Sequence, residues 1–175
     1  MIKIKRFNSK SVIVYHGLGG SPSQDRIDCL ESIGYKVIYP HIDYELEWRK
    51  DKCRSIFDSQ VDLAKNVDLI IGLSLGGYMA FELSGILNKN CILINPALNR
   101  DITKLDIKYF DINHGDEYGF MDVYLGENDT LIDKNITLEY LKDRNVDFKY
   151  SIVNGMEHRT PIEHFSEIVN KSKIV

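Results

Sequence analysis

Gly72-Leu73-Ser74-Leu75-Gly76-Gly77 carries the pattern G-x-S-x-G. Such a pattern suits a serine nucleophile on a sharp strand-to-helix turn. Glycines two residues before and after the serine leave room for a tight approach. Its hydroxyl then stands clear at the positive end of the following helix. The rival reading is a glycine-rich turn with an incidental serine. A phosphate-cradling loop does not fit, because neither GK[ST] nor GxGxxG stands at this position.

Serine is a weak nucleophile without a base, an orienting acid and donors for a developing oxyanion. Tyr15-His16-Gly17-Leu18-Gly19-Gly20 is an HG turn directly after an apolar run. It places one oxyanion donor at the N–H of Leu18, and the second is expected at Leu75, the residue after the nucleophile. His16 is expected to support that turn by hydrogen bonding rather than act as the base. Of the five histidines, His158 lies in the loop 154–159, after the last strand and before the last helix. It is the expected base. His164 falls inside that helix and is the alternative, whereas His114 falls in an irregular segment. Asp129, in the loop Leu125-Gly126-Glu127-Asn128-Asp129, is the expected acid, holding the imidazole in one tautomer. Glu127 competes for that role, and Asp133 is expected to cap the next helix.

Positioning these groups takes alternating strands and helices. Strands are expected at Ile2–Phe7, Ser11–Tyr15, Lys36–Tyr39, Asp68–Gly72, Cys91–Asn95, Met121–Leu125 and Phe148–Val153. Val12-Ile13-Val14, Leu69-Ile70-Ile71 and Ile92-Leu93-Ile94 are apolar on both faces, as in a parallel sheet covered by helices on each side. Ser21-Pro22-Ser23-Gln24 and Thr160-Pro161-Ile162-Glu163 read as capping boxes opening two helices. Further helices are expected around Arg54–Ala64, over Leu75–Leu87 with most sides buried, and from about Asp133 to Arg144. The expected fold class is therefore α/β: a compact, mostly parallel central sheet with helices on both faces, and functional groups at the carboxyl ends of its strands.

The chain has 175 residues, 43% apolar and 27% charged, which fits one folded domain over 1–175. Residues 97–120 lack a clear period, as expected of a short lid or binding loop or of a solvated insertion. With 26 acidic and 22 basic side chains the net charge is −4, which disfavours nucleic acid as a partner. No apolar run approaches the ~18–20 residues that span a bilayer, and the run Val12–Tyr15 is too short for a signal peptide, so no membrane association is expected. Cys29, Cys53 and Cys91 include no CxxC pair, which fits a reducing cytoplasm. His158 and His164 lack the i, i+4 spacing of a helical metal site, so neither metal nor cofactor is expected.

Nucleophile, acid and base follow in the order Ser74, Asp129, His158, which is that of the α/β-hydrolases. HGLGGSP at 16–22, GLSLGGY at 72–78, Asn95-Pro96-Ala97, Asp129 in Gly-x-x-Asp and the Gly/His loop near the C-terminus resemble the small YqiA-like bacterial esterases. That resemblance covers nearly the whole chain. It implies carboxylic-ester hydrolysis through an acyl-enzyme with Ser74, Asp129 and His158 as the triad, on a core lacking the first strands of larger hydrolases. The sequence departs from the family at three places, one of them a shorter stretch before the acid. Gly155 stands three residues before His158, with Arg159-Thr160 after it, and the arginine following the NPA turn is displaced to Arg100.

The small lid leads to an expectation of short acyl esters, about two to six carbons, as substrates. Trp48 either lines the same pocket or lies in a surface loop. A thioesterase or amidase using the same triad is the alternative enzyme, and a non-catalytic hydrolase-like binding module is the alternative outside catalysis. Oligomeric state does not follow from the sequence.

Overall fold

The structure, a computed structural model, describes residues 10–46, 53–98 and 118–175. The expected strand Ile2–Phe7, Trp48, Arg100, His114 and most of the 97–120 segment lie outside them. Among the described residues six strands and five helices follow one another, alternating except between β4 and β5: β1 (Ser11–Tyr15), α1 (Gln24–Ser32), β2 (Lys36–Ile38), α2 (Cys53–Ala64), β3 (Leu69–Leu73), α3 (Leu75–Leu87), β4 (Cys91–Ile94), β5 (Met121–Gly126), α4 (Lys134–Asp143), β6 (Phe148–Val153) and α5 (Ile162–Lys171). No helix among the described residues is long and apolar enough to cross a membrane.

The strands form one sheet in the order β2-β1-β3-β4-β5-β6, every neighbouring pair parallel. Period-2 alternation sends successive side chains to opposite faces. Ile13, Tyr15, Ile70, Leu93 and Val123 pack with Phe57 of α2, Phe81 of α3 and Leu141 of α4. Val12, Val14, Ile71, Ile92 and Tyr124 pack on the other face with Leu30 of α1 and Phe165, Ile168 and Val169 of α5. Each fully buried aliphatic or aromatic side chain contributes about 1.5–3 kcal/mol by removal from water. Two covered faces explain why the central strands are apolar without alternation.

A parallel sheet brings the carboxyl ends of its strands to one edge. Register pairs Tyr15 with Gly72, Leu73 with Ile94, and Ile94 with Tyr124, so the residues just after β1, β3, β4 and β5 emerge side by side. His16, Ser74, Asn95 and Glu127 are those residues.

Helix ends differ from expectation at two places. α1 starts at Gln24 after an extended Ser23 that makes no side-chain cap bond, so Ser21 is not its cap. The chain before it is held in the HG turn, where Gly20 N–H bonds the Gly17 carbonyl at 3.0 Å. α5 starts at Ile162 behind an extended Pro161, so Thr160 is not its cap either. The Thr160 carbonyl accepts from Arg26 Nη2 at 2.7 Å instead of opening the helical ladder. Asp133 does cap α4, accepting from the Asn135 N–H at 2.8 Å.

Candidate active site

Ser74 follows β3 directly and stands at the N-cap position of α3 with φ 52° and ψ −118°. A non-glycine residue at positive φ is strained and persists only where its surroundings over-determine it. Here the Ser74 N–H bonds the Ile94 carbonyl at 3.0 Å, and its own carbonyl accepts from Gly77, Tyr78 and Ala97. The motif glycines are required by close approach. A Cβ on Gly72 would strike the Gly76 carbonyl, and one on Gly76 would strike the Tyr15 carbonyl. The turn therefore packs directly on β1, which brings the HG turn beside the serine.

The Ser74 hydroxyl makes no cap bond to its helix. Its Oγ lies 2.9 Å from His158 Nε2. His158 Nδ1 lies 2.8 Å from Asp129 Oδ2. A carboxylate only accepts, so Nδ1 carries the proton and Nε2 is left as an acceptor for the serine hydroxyl. The other Asp129 oxygen, Oδ1, accepts from the Leu131 and Ile132 N–H groups at 2.8 and 2.9 Å. The Asp129 carboxylate is almost fully enclosed, at 2% exposure, whereas the His158 side chain keeps 20%. The structure thus brings Ser74, His158 and Asp129 together. The competitor Glu127 is turned elsewhere, accepting from the Gly155 N–H at 3.1 Å. His164 lies within α5.

Leu18 and Leu75 flank the same serine. A Cβ on Gly17 would sit 3.0 Å from the Ser74 Cβ, which shows how closely the HG turn approaches. The Gly17 carbonyl accepts from His16 Nδ1 at 2.8 Å and from the Gly20 N–H at 3.0 Å. Because the peptide is trans, the Leu18 N–H points the opposite way from that carbonyl. Leu75 is the first residue of α3, where backbone N–H groups lack intrahelical partners and the helix dipole is positive.

His16 is 2% exposed and accepts from the Ile42 N–H on Nε2 at 3.1 Å, which fixes its proton on Nδ1. Burial holds its imidazole below the ordinary value, so it is a neutral prop for the turn.

Asn95 has no role in the sequence reading beyond the NPA turn, yet it joins three parts of the site. Its Nδ2 donates to the carbonyls of Glu157 and His158 at 2.9 and 3.2 Å. Its Oδ1 accepts from the Gly126 N–H at 2.6 Å, where β5 leads into the Asp129 loop. It is 1% exposed and holds φ 44°, a left-handed conformation that asparagine tolerates better than most residues. Only the asparagine in a positive-φ turn after an apolar strand hints at this in the sequence. Asn95→Asp is expected to lower kcat on a 4-nitrophenyl ester by about 10–100-fold, since a carboxylate cannot donate to two carbonyls and the base loop loses its tether. KM should change less. Equal losses in kcat and in folded fraction by circular dichroism would make Asn95 a purely structural residue.

A cavity of about 480 Å3 opens at Ser74, lined by the HG turn, Arg26, Leu73, His158, Arg159, Thr160 and Pro161. Among the described residues no group of three or more His, Cys, Asp or Glu side chains is arranged to hold a metal ion.

The model of a family described as "Uncharacterised protein family (UPF0227)" matches residues 11–145. That span includes His16, Ser74, Asn95 and Asp129 and ends before His158. No curated protein matches the sequence. Among solved structures, the chain is similar to Est1E from Butyrivibrio proteoclasticus, with TM-score 0.66 and 17% identity over 93% of this chain and 86% of that one. It is similar to a protein of Xanthomonas campestris pv. campestris assigned to the hydrolases of the alpha/beta superfamily, with TM-score 0.65 and 16% identity over 94% and 99%. MGS-M1, an alpha/beta hydrolase enzyme from a Medee basin deep-sea metagenome library, gives TM-score 0.63 and 18% identity over 86% and 71%. These likenesses establish the α/β-hydrolase fold.

Proposed function

The chain belongs to the UPF0227 family, and we propose that it is a serine hydrolase cleaving carboxylic esters through an acyl-enzyme. The observation that carries this reading is the continuous relay from Ser74 Oγ to His158 Nε2 at 2.9 Å and from His158 Nδ1 to Asp129 at 2.8 Å. His158 takes the hydroxyl proton as Ser74 Oγ bonds to the ester carbonyl carbon. Asp129 stabilises the imidazolium. The N–H groups of Leu18 and Leu75 hold the oxyanion, each worth about 10²–10³ in rate. The bond to the alcohol oxygen breaks and His158 returns the proton to the departing alcohol. Water then attacks the acyl-serine with His158 as base, releasing the acid and restoring the hydroxyl.

The substrate is a small ester. A lid as short as the 97–120 segment limits the acyl group to about two to six carbons, and the cavity at Ser74, about 480 Å3, has room for such an ester as a whole. The single domain over 1–175, the 97–120 segment as a lid, and a cytoplasmic location complete the proposal. Every step uses side chains and backbone amides of this chain.

A panel of 4-nitrophenyl esters, acyl thioesters and anilides tests the reading. Ester turnover is expected to be fastest, with kcat/KM falling beyond about six acyl carbons. A maximum at twelve or more carbons would contradict the size preference. Faster thioester or anilide turnover would move the activity to those leaving groups.

A further inference from the structure

The cavity at Ser74 has a charge pattern opposite to that of the chain. The sequence is acidic overall, at −4. Yet among the described residues lining the cavity are two arginines, Arg26 and Arg159, and neither Asp nor Glu. Asp129, the one carboxylate of the relay, lies behind His158 with its oxygens turned to Nδ1 and to two backbone N–H groups.

Arg26 is built into the wall. Its Nη2 donates to the Thr160 carbonyl at 2.7 Å and its Nη1 to the Tyr39 hydroxyl at 3.3 Å. Its guanidinium carbon lies 5.4 Å from the Phe165 ring centroid, a cation–π distance. A guanidinium has five N–H donors, so these two bonds leave three. An arginine held this way loses little rotamer freedom when it binds an anion, and its planar fork matches a carboxylate or phosphate. Arg159 follows the base directly and is exposed. A latch between α1 and the start of α5 would need only the bond to Thr160. It would not need the arginine to border the cavity, nor a second arginine beside it. Two cations among described lining residues that include no carboxylate favour an anion at that wall.

We propose that the site takes an anionic ester, one whose acyl or alcohol part carries a carboxylate or phosphate that Arg26 and Arg159 bind while its scissile carbonyl lies at Ser74. This rests on the hydrolase reading above and narrows its substrate class.

Two matched pairs of carboxylate and neutral esters test it. Mono(4-nitrophenyl) succinate against 4-nitrophenyl pentanoate places the anion on the acyl part. 4-Acetoxybenzoate against its methyl ester places it on the leaving alcohol. At least one anionic member is expected to exceed its neutral partner in kcat/KM by about tenfold or more, mostly through KM, as for hydrogen bonds to charged groups. The preference should shrink as salt rises. Arg159→Gln and Arg26→Lys should each lower the anionic-to-neutral ratio, and a ratio within one variant cancels any loss of folded protein. Equal or better turnover of both neutral members, still dependent on Ser74, would overturn the anionic assignment and leave the hydrolase reading intact. Ratios unmoved in both arginine variants would overturn it too. No turnover of any ester, with Ser74 also inert to a fluorophosphonate, would overturn the hydrolase reading and this assignment with it.

Discussion

Ser74→Ala is expected to lower kcat/KM on 4-nitrophenyl acetate by about 10⁵–10⁶, the loss typical of removing the nucleophile from such a relay. The Oγ is the only atom removed, and its described bond is to His158. The backbone bonds that hold the turn, from Ser74 N–H to Ile94 and from Gly77, Tyr78 and Ala97 to the Ser74 carbonyl, survive the change. Alanine meets the same positive φ as serine, so the strain is equal in both proteins. Thermal unfolding should therefore stay nearly unchanged while activity vanishes. Wild-type turnover in the alanine protein would mean that another group attacks the ester.

Asp129→Asn is expected to cost about 10⁴ in kcat, and the reason lies in its two oxygens. Oδ1 accepts from the N–H groups of Leu131 and Ile132, and Oδ2 faces His158 Nδ1. An asparagine has one oxygen. Two backbone donors hold that oxygen in place, so the NH₂ group turns to Nδ1. His158 must then accept there and carry its proton on Nε2, the nitrogen that faces Ser74. A protonated Nε2 cannot take the serine proton. Steady-state kinetics on a neutral ester, with circular dichroism for the fold, measures this. A loss under about tenfold would mean that the carboxylate does not set the tautomer.

Much of this arrangement is legible in the sequence, and the failures have physical causes. β1 and α3 stand where their apolar patterns place them, because both depend on burial that local pattern encodes. The elbow is legible because a serine at φ 52° needs small neighbours, and small neighbours leave a glycine signature. Of the two misplaced helix caps, Ser21 gives way to the local turn closed between Gly17 and Gly20, whereas the other depends on a tertiary bond. Thr160 loses its cap role to Arg26, 134 residues away in the chain. Asn95 is opaque for the same reason, since its partners Glu157 and His158 lie 62 and 63 residues downstream. Arg26 reads as an ordinary polar residue on an amphipathic helix until α5 and the base loop close over it.

The most direct test is reaction with a fluorophosphonate, followed by peptide mass mapping of the adduct. Labelling is expected at Ser74 alone, and far more slowly in His158→Ala, where nothing removes the hydroxyl proton. An adduct on another residue, no adduct, or labelling of Ser74 at the same rate without His158 would contradict a histidine-activated serine.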